Sequence, residues 1–201
     1  MEIVKLNIDN QHIVLARARE IIDRGGTVVY PTETAYGLGG DMFSDKAYGH
    51  IISIKKRPVD KMFPVIVADL VQANTLVKFD TGSRALAEKY WPGPLTLILP
   101  LSVQPINTLF PGSSLAVRVS SHPIAADLAR IISKPLIATS ANISGQPPAY
   151  TIRDFLQQIK GRATVPDLII DIGELPKTLP STIVSFANGS MEIIRQGSIT
   201  F

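Results

Sequence analysis

The segment Lys55–Lys61 concentrates four cations, Lys55, Lys56, Arg57 and Lys61, directly after a predicted helix. Such a cluster suits a polyphosphate, because a guanidinium offers a planar fork of donors and each ammonium a point charge. Cations near the C-terminal end of a helix also stabilise that helix through its dipole. The segment therefore indicates either an anion site or an ordinary exposed helix end, and composition alone favours the second.

Arg118 is a charged residue within the apolar run Leu115–Val119, where a valine stands on each side of it. Side chains of a strand point alternately to its two faces, so the guanidinium must share a face with some of its neighbours. If that face is buried, the charge needs an anionic partner. If the strand lies at an exposed edge of a sheet, it needs none, and the sequence leaves both arrangements open.

Two further segments place small polar side chains directly after apolar strands. Segment 30–40 carries Thr32, Glu33 and Thr34 ahead of its glycines, and segment 139–145 reads TSANISG. Hydroxyl and amide groups can surround a carboxylate, a carbamate or a phosphate, and glycines let a ligand approach the backbone. A hairpin or bulge with turn glycines explains the first segment equally well, and side chains bonded to their own backbone explain the second.

The sequence lacks several common catalytic signatures. It contains neither the phosphate loop G-x-x-x-x-G-K-[ST] nor the dinucleotide motif G-x-G-x-x-G, and neither H-E-x-x-H nor G-x-S-x-G. There is no cysteine, which excludes thiol nucleophiles and thiolate metal sites. His12, His50 and His122 are far apart in sequence, and each is expected to be structural or exposed. We therefore expect no metal site built from protein ligands.

The composition is that of a folded chain of 201 residues, with a single domain expected over residues 1–201. With 45% hydrophobic and 18% charged residues the chain can bury a core, which excludes disorder throughout. The apolar run Leu95–Leu101 is far shorter than the roughly 18 residues that a membrane helix needs, and the N-terminus shows no signal peptide. A cytoplasmic location is expected, and the net charge of +3 permits an anionic ligand or RNA without requiring either.

The elements that must position these residues alternate between helical and strand patterns. Helices are predicted over Gln11–Arg24, Asp45–Ile54, 69–76, Ser83–Tyr90, Pro123–Ile132 and 151–159, and strands over Ile3–Leu6, Thr27–Tyr30, Phe63–Val67, Leu95–Leu99, Leu115–Val119, Leu136–Ala138, Leu168–Asp171, Thr182–Phe186 and Glu192–Ile194. This alternation predicts an α/β domain with helices packed on a mixed sheet. The last strands have no helix between them, so part of the sheet is expected to be antiparallel.

Seven stretches of the chain, taken in order, resemble the YrdC-type superfamily, and within it the short TsaC-type threonylcarbamoyl-AMP synthases. They are YPTETAYGLGGD, KKRPVDK, WPGPLTLILP, LAVRVSSHP, KPLIATSANISGQPP, PSTIV and IIRQG, and they span residues 30–197. One such stretch is weak evidence, whereas seven in register are specific. The resemblance implies a twisted mixed α/β sheet with a concave basic face. Because the chain ends at Phe201, soon after the last stretch, it looks like the short single-domain form.

The resemblance also implies the site residues. For L-threonine and its carbamate these are Thr32, Thr34, Arg118, Ser140, Ser181 and Thr182, and for the nucleotide they are Lys55, Arg57, Lys61, Asn142 and Arg195. Among them Lys55, Arg57 and Arg118 are the implied catalytic residues. Some longer relatives place a histidine where this chain has Val65-Ile66-Val67, which leaves one threonine contact unassigned.

The implied reaction joins L-threonine, bicarbonate and ATP into threonylcarbamoyl-adenylate and releases pyrophosphate. The amine of threonine first becomes a carbamate, and a carbamate oxygen then attacks the α-phosphorus of ATP, so no protein nucleophile is needed. Mg²⁺ is expected to accompany the ATP phosphates. Partner proteins would then transfer the threonylcarbamoyl group to an adenosine of tRNA.

Other interpretations of the same motifs stay open. An RNA-binding module of the superfamily, for double-stranded RNA or tRNA, would use the same basic face without making the adenylate. Carbamoyl chemistry of the hydrogenase-maturation type belongs to long multidomain chains, and nothing in this sequence indicates their other segments. A paralogue of the YciO type shares the same motifs, although the segments RPVDK and SANISG favour the synthase.

Overall fold

The structure, a computed structural model, describes residues 1–58, 62–102 and 112–201. Over these ranges the chain forms six helices and eleven strands. The helices are α1 (Gln11–Asp23), α2 (Asp45–Lys55), α3 (Leu70–Leu76), α4 (Thr81–Tyr90), α5 (Pro123–Ile132) and α6 (Ile152–Gln158). The strands are β1 (Glu2–Lys5), β2 (Val28–Pro31), β3 (Tyr36–Gly39), β4 (Val65–Ile66), β5 (Leu95–Pro100), β6 (Ser114–Arg118), β7 (Leu136–Ile137), β8 (Thr139–Ser140), β9 (Leu168–Asp171), β10 (Thr182–Ser185) and β11 (Glu192–Arg195).

The strands form two mixed sheets. The first has the order β1-β9-β2-β3-β8, in which β9 runs parallel to β1 and β2, while β3 is antiparallel to β2 and β8. The second has the order β11-β10-β5-β6-β4-β7, with β10·β5 and β4·β6 parallel and the other pairs antiparallel. The predicted α/β class with mixed pairing is confirmed, and the last two strands are antiparallel as expected. The concave basic face stays a prediction.

One continuous segment, 136–140, joins the two sheets, where the sequence predicted a single sheet. Its first half is β7, which pairs with β4 of the second sheet, and its second half is β8, which pairs with β3 of the first. The backbone N–H of Ile137 also donates to Gly40 O at 2.9 Å, so the chain after β3 continues alongside β7. Gly39 permits this approach, because a Cβ at that position would overlap Ile137 O. The two sheets are therefore fastened to each other by shared backbone.

Strand β2 shows how the core is divided between two faces. Val28 and Tyr30 belong to one apolar cluster and Val29 to another, as the alternation of a strand requires. Helices α1 and α5 cover the first face, and the second face carries residues of α2, α4 and α6 with strands of both sheets.

In the described ranges, no helix combines the length and the apolar character needed to cross a membrane.

Helix starts agree with the sequence wherever the capping side chain was recognised. Ser44, Asp69 and Thr151 accept a hydrogen bond from the backbone N–H three residues ahead, at the starts of α2, α3 and α6. Helix α4 begins at Thr81, two residues before the predicted start at Ser83. The physical reason is a capping box in which Asp80 and Ser83 bond to each other's backbone N–H groups.

Two strands lie where the sequence indicated polar loops. Strand β3 follows the turn 32–35 and pairs with β2, so segment 30–40 is the hairpin that its glycines left open as an alternative. Glycines make up half of β3, and glycine is a poor strand former, so composition does not reveal it. Strand β8 has only two residues, and its existence depends on the pairing with β3.

His122 gives helix α5 a pH-dependent start. Its Nδ1 accepts a hydrogen bond from the backbone N–H of Ile124 at 3.3 Å, and burial lowers the pKa of His122 below its usual 6.5. Below pH 6.5 the unfolded chain therefore binds a proton that the folded chain resists, and stability falls as the pH drops. We expect His122→Asn, which keeps a good N-cap without a titrating ring, to lose less stability on acidification. Urea unfolding on both sides of the usual pKa measures this, and identical pH profiles for the two proteins would contradict it.

Candidate ligand-binding cavity

A cavity of about 530 Å³ opens where the two sheets meet, a size within the usual range for small-molecule sites. The first sheet contributes the 32–35 turn, β3 and β8. The second contributes β4, β5, β6, β10 and β11. The lining residues are Thr32, Thr34, Ala35, Tyr36, Gly37, Arg57, Pro64, Val65, Thr96, Arg118, Ala138, Thr139, Ser140, Pro148, Tyr150, Thr178, Pro180, Ser181, Ile183 and Arg195.

Most of the site residues that the sequence predicted are part of this wall. They are Thr32, Thr34, Arg57, Arg118, Ser140, Ser181 and Arg195. Lys55, Asn142 and Thr182 are buried and are not among the lining residues, and Lys61 lies outside the described residues. The structure thus brings three arginines from distant parts of the sequence to one cavity. Which ligand each of them contacts stays a prediction.

Arg57 reaches the cavity from the chain that follows α2. At the end of that helix Lys56 adopts a left-handed conformation with φ of 50°, which redirects the backbone. The guanidinium of Arg57 donates through Nη2 to Met62 O at 3.0 Å and lies 5.0 Å from the centroid of the Phe63 ring. This cation–π contact fixes one face of the guanidinium. Tyr48 supports the ring in turn, with the two ring centroids 5.1 Å apart.

Lys55 supports the cavity wall from behind. Only 2% of its surface is exposed, and its Nζ donates to Ser140 O at 2.6 Å, Asn142 O at 2.9 Å and Asn142 Oδ1 at 2.9 Å. Burial, followed by repulsion from Arg57, lowers the pKa of Lys55 to about 7. The ammonium therefore fastens β8 and the loop after it to the end of α2. Its contact with nucleotide phosphates stays a prediction, and such a contact would compete with these three hydrogen bonds.

Asn142 completes this support. Its Oδ1 accepts a second hydrogen bond, from Ser140 Oγ at 2.6 Å, and its Nδ2 donates to Ile143 O at 3.0 Å and Gln146 O at 2.5 Å. The side chain is thus saturated by the loop in which it lies. Local side-chain bonding, which the sequence left open for this segment, is present here.

Thr182 serves the C-terminal segment. Its Oγ1 donates to Ile199 O at 2.8 Å and accepts from the backbone N–H groups of Gly197 at 3.1 Å and Ile199 at 3.0 Å. This hydroxyl therefore fastens the chain after β11 against β10. Its predicted threonine contact stays a prediction.

Arg118 is buried, and it has the anionic partner that the sequence argument required of a buried arginine. Its Nη1 lies 3.5 Å from Oε1 of Glu33, and the two side chains are 9% and 15% exposed. The other carboxylate oxygen, Oε2, accepts a short hydrogen bond from the hydroxyl of Ser120. Glu33 thus links the 32–35 turn of the first sheet to the end of β6 in the second.

Arg195 and Ser181 form another part of the wall. The guanidinium donates to Ser181 O from Nε at 3.0 Å and from Nη2 at 2.8 Å, and also to Ser181 Oγ at 2.9 Å. Ser181 Oγ lies 2.9 Å from Thr96 Oγ1, and both residues line the cavity. Burial lowers the pKa of Arg195, and the nearby positive charge of Arg118 adds to this effect. The two arginines are therefore close enough to repel, and a bound anion would relieve that repulsion.

The 32–35 turn presents two threonine hydroxyls. Thr32 Oγ1 donates to Ala35 O at 2.7 Å and lies 3.0 Å from Thr34 Oγ1. Across the turn, Thr178 Oγ1 approaches Glu33 O at 3.1 Å and Thr34 O at 3.2 Å. The turn is thus held in shape by its own side chains and by the segment that precedes β10.

Three polar residues of this region were missed by the sequence analysis as site components. Thr96 is a lone hydroxyl in the apolar strand β5, and that isolation was the signal that could have revealed it. Glu33 and Ser120 follow strands directly, and joining Glu33 to the need of Arg118 for an anion would have found the pair.

In the described ranges, no group of three or more histidine, aspartate or glutamate side chains lies together as metal ligands would.

Comparison with known proteins agrees with the motifs and the fold. The Sua5/YciO/YrdC family model, described as telomere recombination, matches residues 20–197. The chain is 33% identical over 184 residues to the threonylcarbamoyl-AMP synthase of Pyrococcus abyssi (strain GE5 / Orsay), which covers 90% of this chain and 53% of that protein. The chain thus spans about half the length of this curated relative.

Solved structures give the same result. P. abyssi Sua5 complexed with L-threonine matches with a TM-score of 0.86 and 32% identity, over 98% of this chain and 57% of that chain. E. coli YciO matches with a TM-score of 0.84 and 25% identity, over 99% of this chain and 96% of that chain. The resemblance drawn from the seven motifs is confirmed: the chain belongs to the Sua5/YciO/YrdC family.

Proposed function

We propose that this protein is a threonylcarbamoyl-AMP synthase. The observation that carries the proposal is the convergence of Arg57, Arg118 and Arg195, beside a set of hydroxyl groups, on one cavity between the two sheets. In the proposed reaction the amine of L-threonine and bicarbonate form a carbamate with loss of water. A carbamate oxygen then attacks the α-phosphorus of ATP, the bond to the β-phosphate oxygen breaks, and pyrophosphate leaves.

The reaction brings two anions together, and the three arginines fit that requirement. The carbamate and the triphosphate repel each other in water, so the protein's task is to hold them in contact and offset the repulsion. Arg57 lines the cavity and lies over the Phe63 ring. It suits the phosphates because a guanidinium binds them through a planar fork of donors. Arg118 and Arg195 lie near each other, which suits a ligand carrying a carboxylate and a carbamate.

Hydroxyl groups around the arginines can orient the amino acid. Ser140, Ser181 and Thr34 are on the cavity wall, and each can donate one hydrogen bond and accept others. Val65 and Ile183 also line the cavity and offer apolar surface to the methyl group of threonine. We assign the amino-acid end of the substrate to this part of the wall.

Magnesium would enter as part of the nucleotide substrate. Glu33, the carboxylate beside the cavity, is already engaged by Arg118 and Ser120. The described residues contain no cluster of histidine, aspartate or glutamate side chains that would hold the ion. This fits a magnesium ion whose ligands are phosphate oxygens and water, as magnesium prefers. Such an ion reduces the charge of the triphosphate, and the arginines act on what remains.

The comparisons support the proposal at the level of the family. The name of the P. abyssi relative gives the same reaction, and its solved complex contains L-threonine. We extend the proposal to the cell: the adenylate is made in the cytoplasm and passed to partner proteins that modify tRNA.

The decisive experiment combines the purified chain with ATP, L-threonine, bicarbonate and magnesium and searches for the adenylate by mass spectrometry. Pyrophosphate release should require all four components, and omission of any one should abolish it. If no adenylate forms, while the protein binds tRNA in a salt-sensitive way that does not need threonine, the RNA-binding alternative replaces the synthase.

Arg118→Ala tests the assignment of the amino-acid end. We expect the variant to raise the KM for threonine by about tenfold or more, the size expected for loss of a charged hydrogen-bonding partner, and to change the KM for ATP much less. Steady-state pyrophosphate release, with one substrate varied at a time, measures both constants. Equal increases in the two constants would show that Arg118 does not discriminate between the substrates.

A further inference from the structure

We infer that Glu33 is a positioning residue, which orients the guanidinium of Arg118 for the anionic end of the amino-acid substrate. The identity of that substrate rests on the proposed function, whereas the contact between the two side chains does not. Glu33 is not among the lining residues of the cavity, and the lining side chain that its carboxylate faces is Arg118.

The carboxylate of Glu33 is held on one side and open on the other. Ser120 donates its hydroxyl to Oε2, and Thr178 Oγ1 donates to the backbone carbonyl of Glu33 at 3.1 Å. The remaining oxygen, Oε1, is buried and has no hydrogen-bond partner among the described residues. It faces Nη1 of Arg118 at 3.5 Å. The carboxylate is therefore a fixed, desolvated charge aimed at one nitrogen of the arginine.

The contact is long for a hydrogen bond, so it acts mainly through charge. In a buried setting, attraction over this distance is much stronger than in water. Among the described residues the guanidinium of Arg118 has Glu33 as its ion-pair partner and makes no side-chain hydrogen bond, so none of these residues occupies its other donors. An arrangement of this kind holds the fork in place and still leaves it able to bind an incoming carboxylate or carbamate.

The charge of Arg195 explains why Arg118 needs the carboxylate of Glu33. Arg118 and Arg195 line the same cavity, and burial, followed by the positive charge of Arg118, lowers the pKa of Arg195. Arg195 is held by three hydrogen bonds to Ser181, whereas Arg118 has Glu33 as its counter-charge. Without the carboxylate, Arg118 would face the positive charge of Arg195 with no counter-charge among the described residues.

Glu33→Gln tests the inference, because it removes the charge and keeps the shape. We expect the KM for threonine to rise about tenfold while the KM for ATP stays within about twofold. In an Arg118→Ala background the same change should have no further effect, because two residues that act as one unit are not additive. If the increases in the KM for threonine from the two single variants multiply in the double variant, the inference is overturned. An unchanged KM for threonine in Glu33→Gln would also overturn it.

Two controls separate positioning from a structural role. Glu20→Gln removes one glutamate charge from the exposed ion pairs of α1 and should leave both KM values unchanged. Glu33→Asp keeps the charge but moves it away from Arg118 on a shorter side chain, so it should raise the KM for threonine less than Glu33→Gln does. If Glu33→Gln does not fold, Glu33→Asp is the variant to measure. We then expect a rise in the KM for threonine alone. Equal rises in the KM for threonine and the KM for ATP would contradict the inference.

A second measurement needs no substrate. In the wild-type protein, nitrogen NMR of the arginine side chains should show restricted rotation of the Arg118 guanidinium, with its signals identified by their loss in Arg118→Lys. We expect that restriction to disappear in Glu33→Gln, and unchanged rotation would refute the inference. If the wild type makes no adenylate but the NMR effect is present, the proposed function fails and the positioning of Arg118 stands.

Discussion

Replacing Arg57 with alanine is expected to lower threonine-dependent pyrophosphate release about 100-fold, the usual cost of removing one preorganised donor to a developing charge. The guanidinium lines the cavity, and the contacts with Met62 and Phe63 hold it in place before ligand arrives. Most of the loss should appear in kcat and in the KM for ATP. Arg57→Lys keeps the charge but loses the planar fork, so we expect it to recover only part of the activity.

The fold should survive this substitution, because Arg57 lies at the surface of the cavity and not in the apolar core. Far-ultraviolet circular dichroism and the thermal midpoint measure that directly. Arg19→Ala is the matched control, since Arg19 is an exposed arginine on α1 with a single surface ion pair. Near-normal turnover of Arg57→Ala would remove this residue from the phosphate site, and an equal loss in Arg19→Ala would show that the effect is not local.

Lys55→Met is expected to destabilise the protein by about 3 kcal/mol, because it removes the three hydrogen bonds that the buried Nζ donates. Methionine can fill much of the space but cannot donate to Ser140 O, Asn142 O or Asn142 Oδ1. The loop after β8 should loosen, so we also expect amide hydrogen exchange to increase there. Denaturant unfolding followed by fluorescence of Trp91 gives the free energy of unfolding.

Lys46 provides a control on the same helix. Its ammonium is exposed and donates one hydrogen bond, to Arg24 O at 3.0 Å, so Lys46→Met should change stability by less than about 0.5 kcal/mol. The comparison separates the two roles considered for Lys55. If Lys55→Met unfolds like the wild type and differs only in its KM for ATP, the lysine is a phosphate ligand and its hydrogen bonds to the loop contribute little.

Local chemistry made much of this fold predictable. Ser44, Asp69 and Thr151 are good capping residues in front of apolar periodic segments, and their helices begin where expected. Helix α5 and strand β9 have the predicted bounds, because each is an uninterrupted apolar pattern with clear breaks at both ends. Such signals lie within a few residues of chain and need no knowledge of the rest of the molecule.

The division into two sheets could not be predicted in the same way. Strands β7 and β8 are adjacent in sequence, and only their pairing with β4 and β3 assigns them to different sheets. The site shows the same limit. Lys55 and Arg57 are two residues apart and were predicted to face the phosphates together, yet Arg57 lines the cavity while Lys55 is buried behind it. Which side of a wall a side chain faces is decided by tertiary packing.

The resemblance of the motifs supplied what periodicity could not. From the 20 lysines and arginines of the chain it selected Lys55, Arg57, Lys61, Arg118 and Arg195. The three arginines among them line one cavity. It did not select Glu33, since the burial of Arg118, which creates the need for a counter-charge, is decided by the fold. Burial and distance, rather than residue type, identify such partners.

Residues 136–140 pair with a strand of each sheet. A hinge motion that separated the two sheets would therefore break backbone hydrogen bonds. We therefore expect any closing of the cavity around the reactants to come from segments that connect the strands and helices. Segment 172–181 is one of them, and it contributes Thr178, Pro180 and Ser181 to the cavity lining. Substrate entry and product exit would then be governed by short, local rearrangements, while Arg118 and Arg195 keep their places on strands β6 and β11.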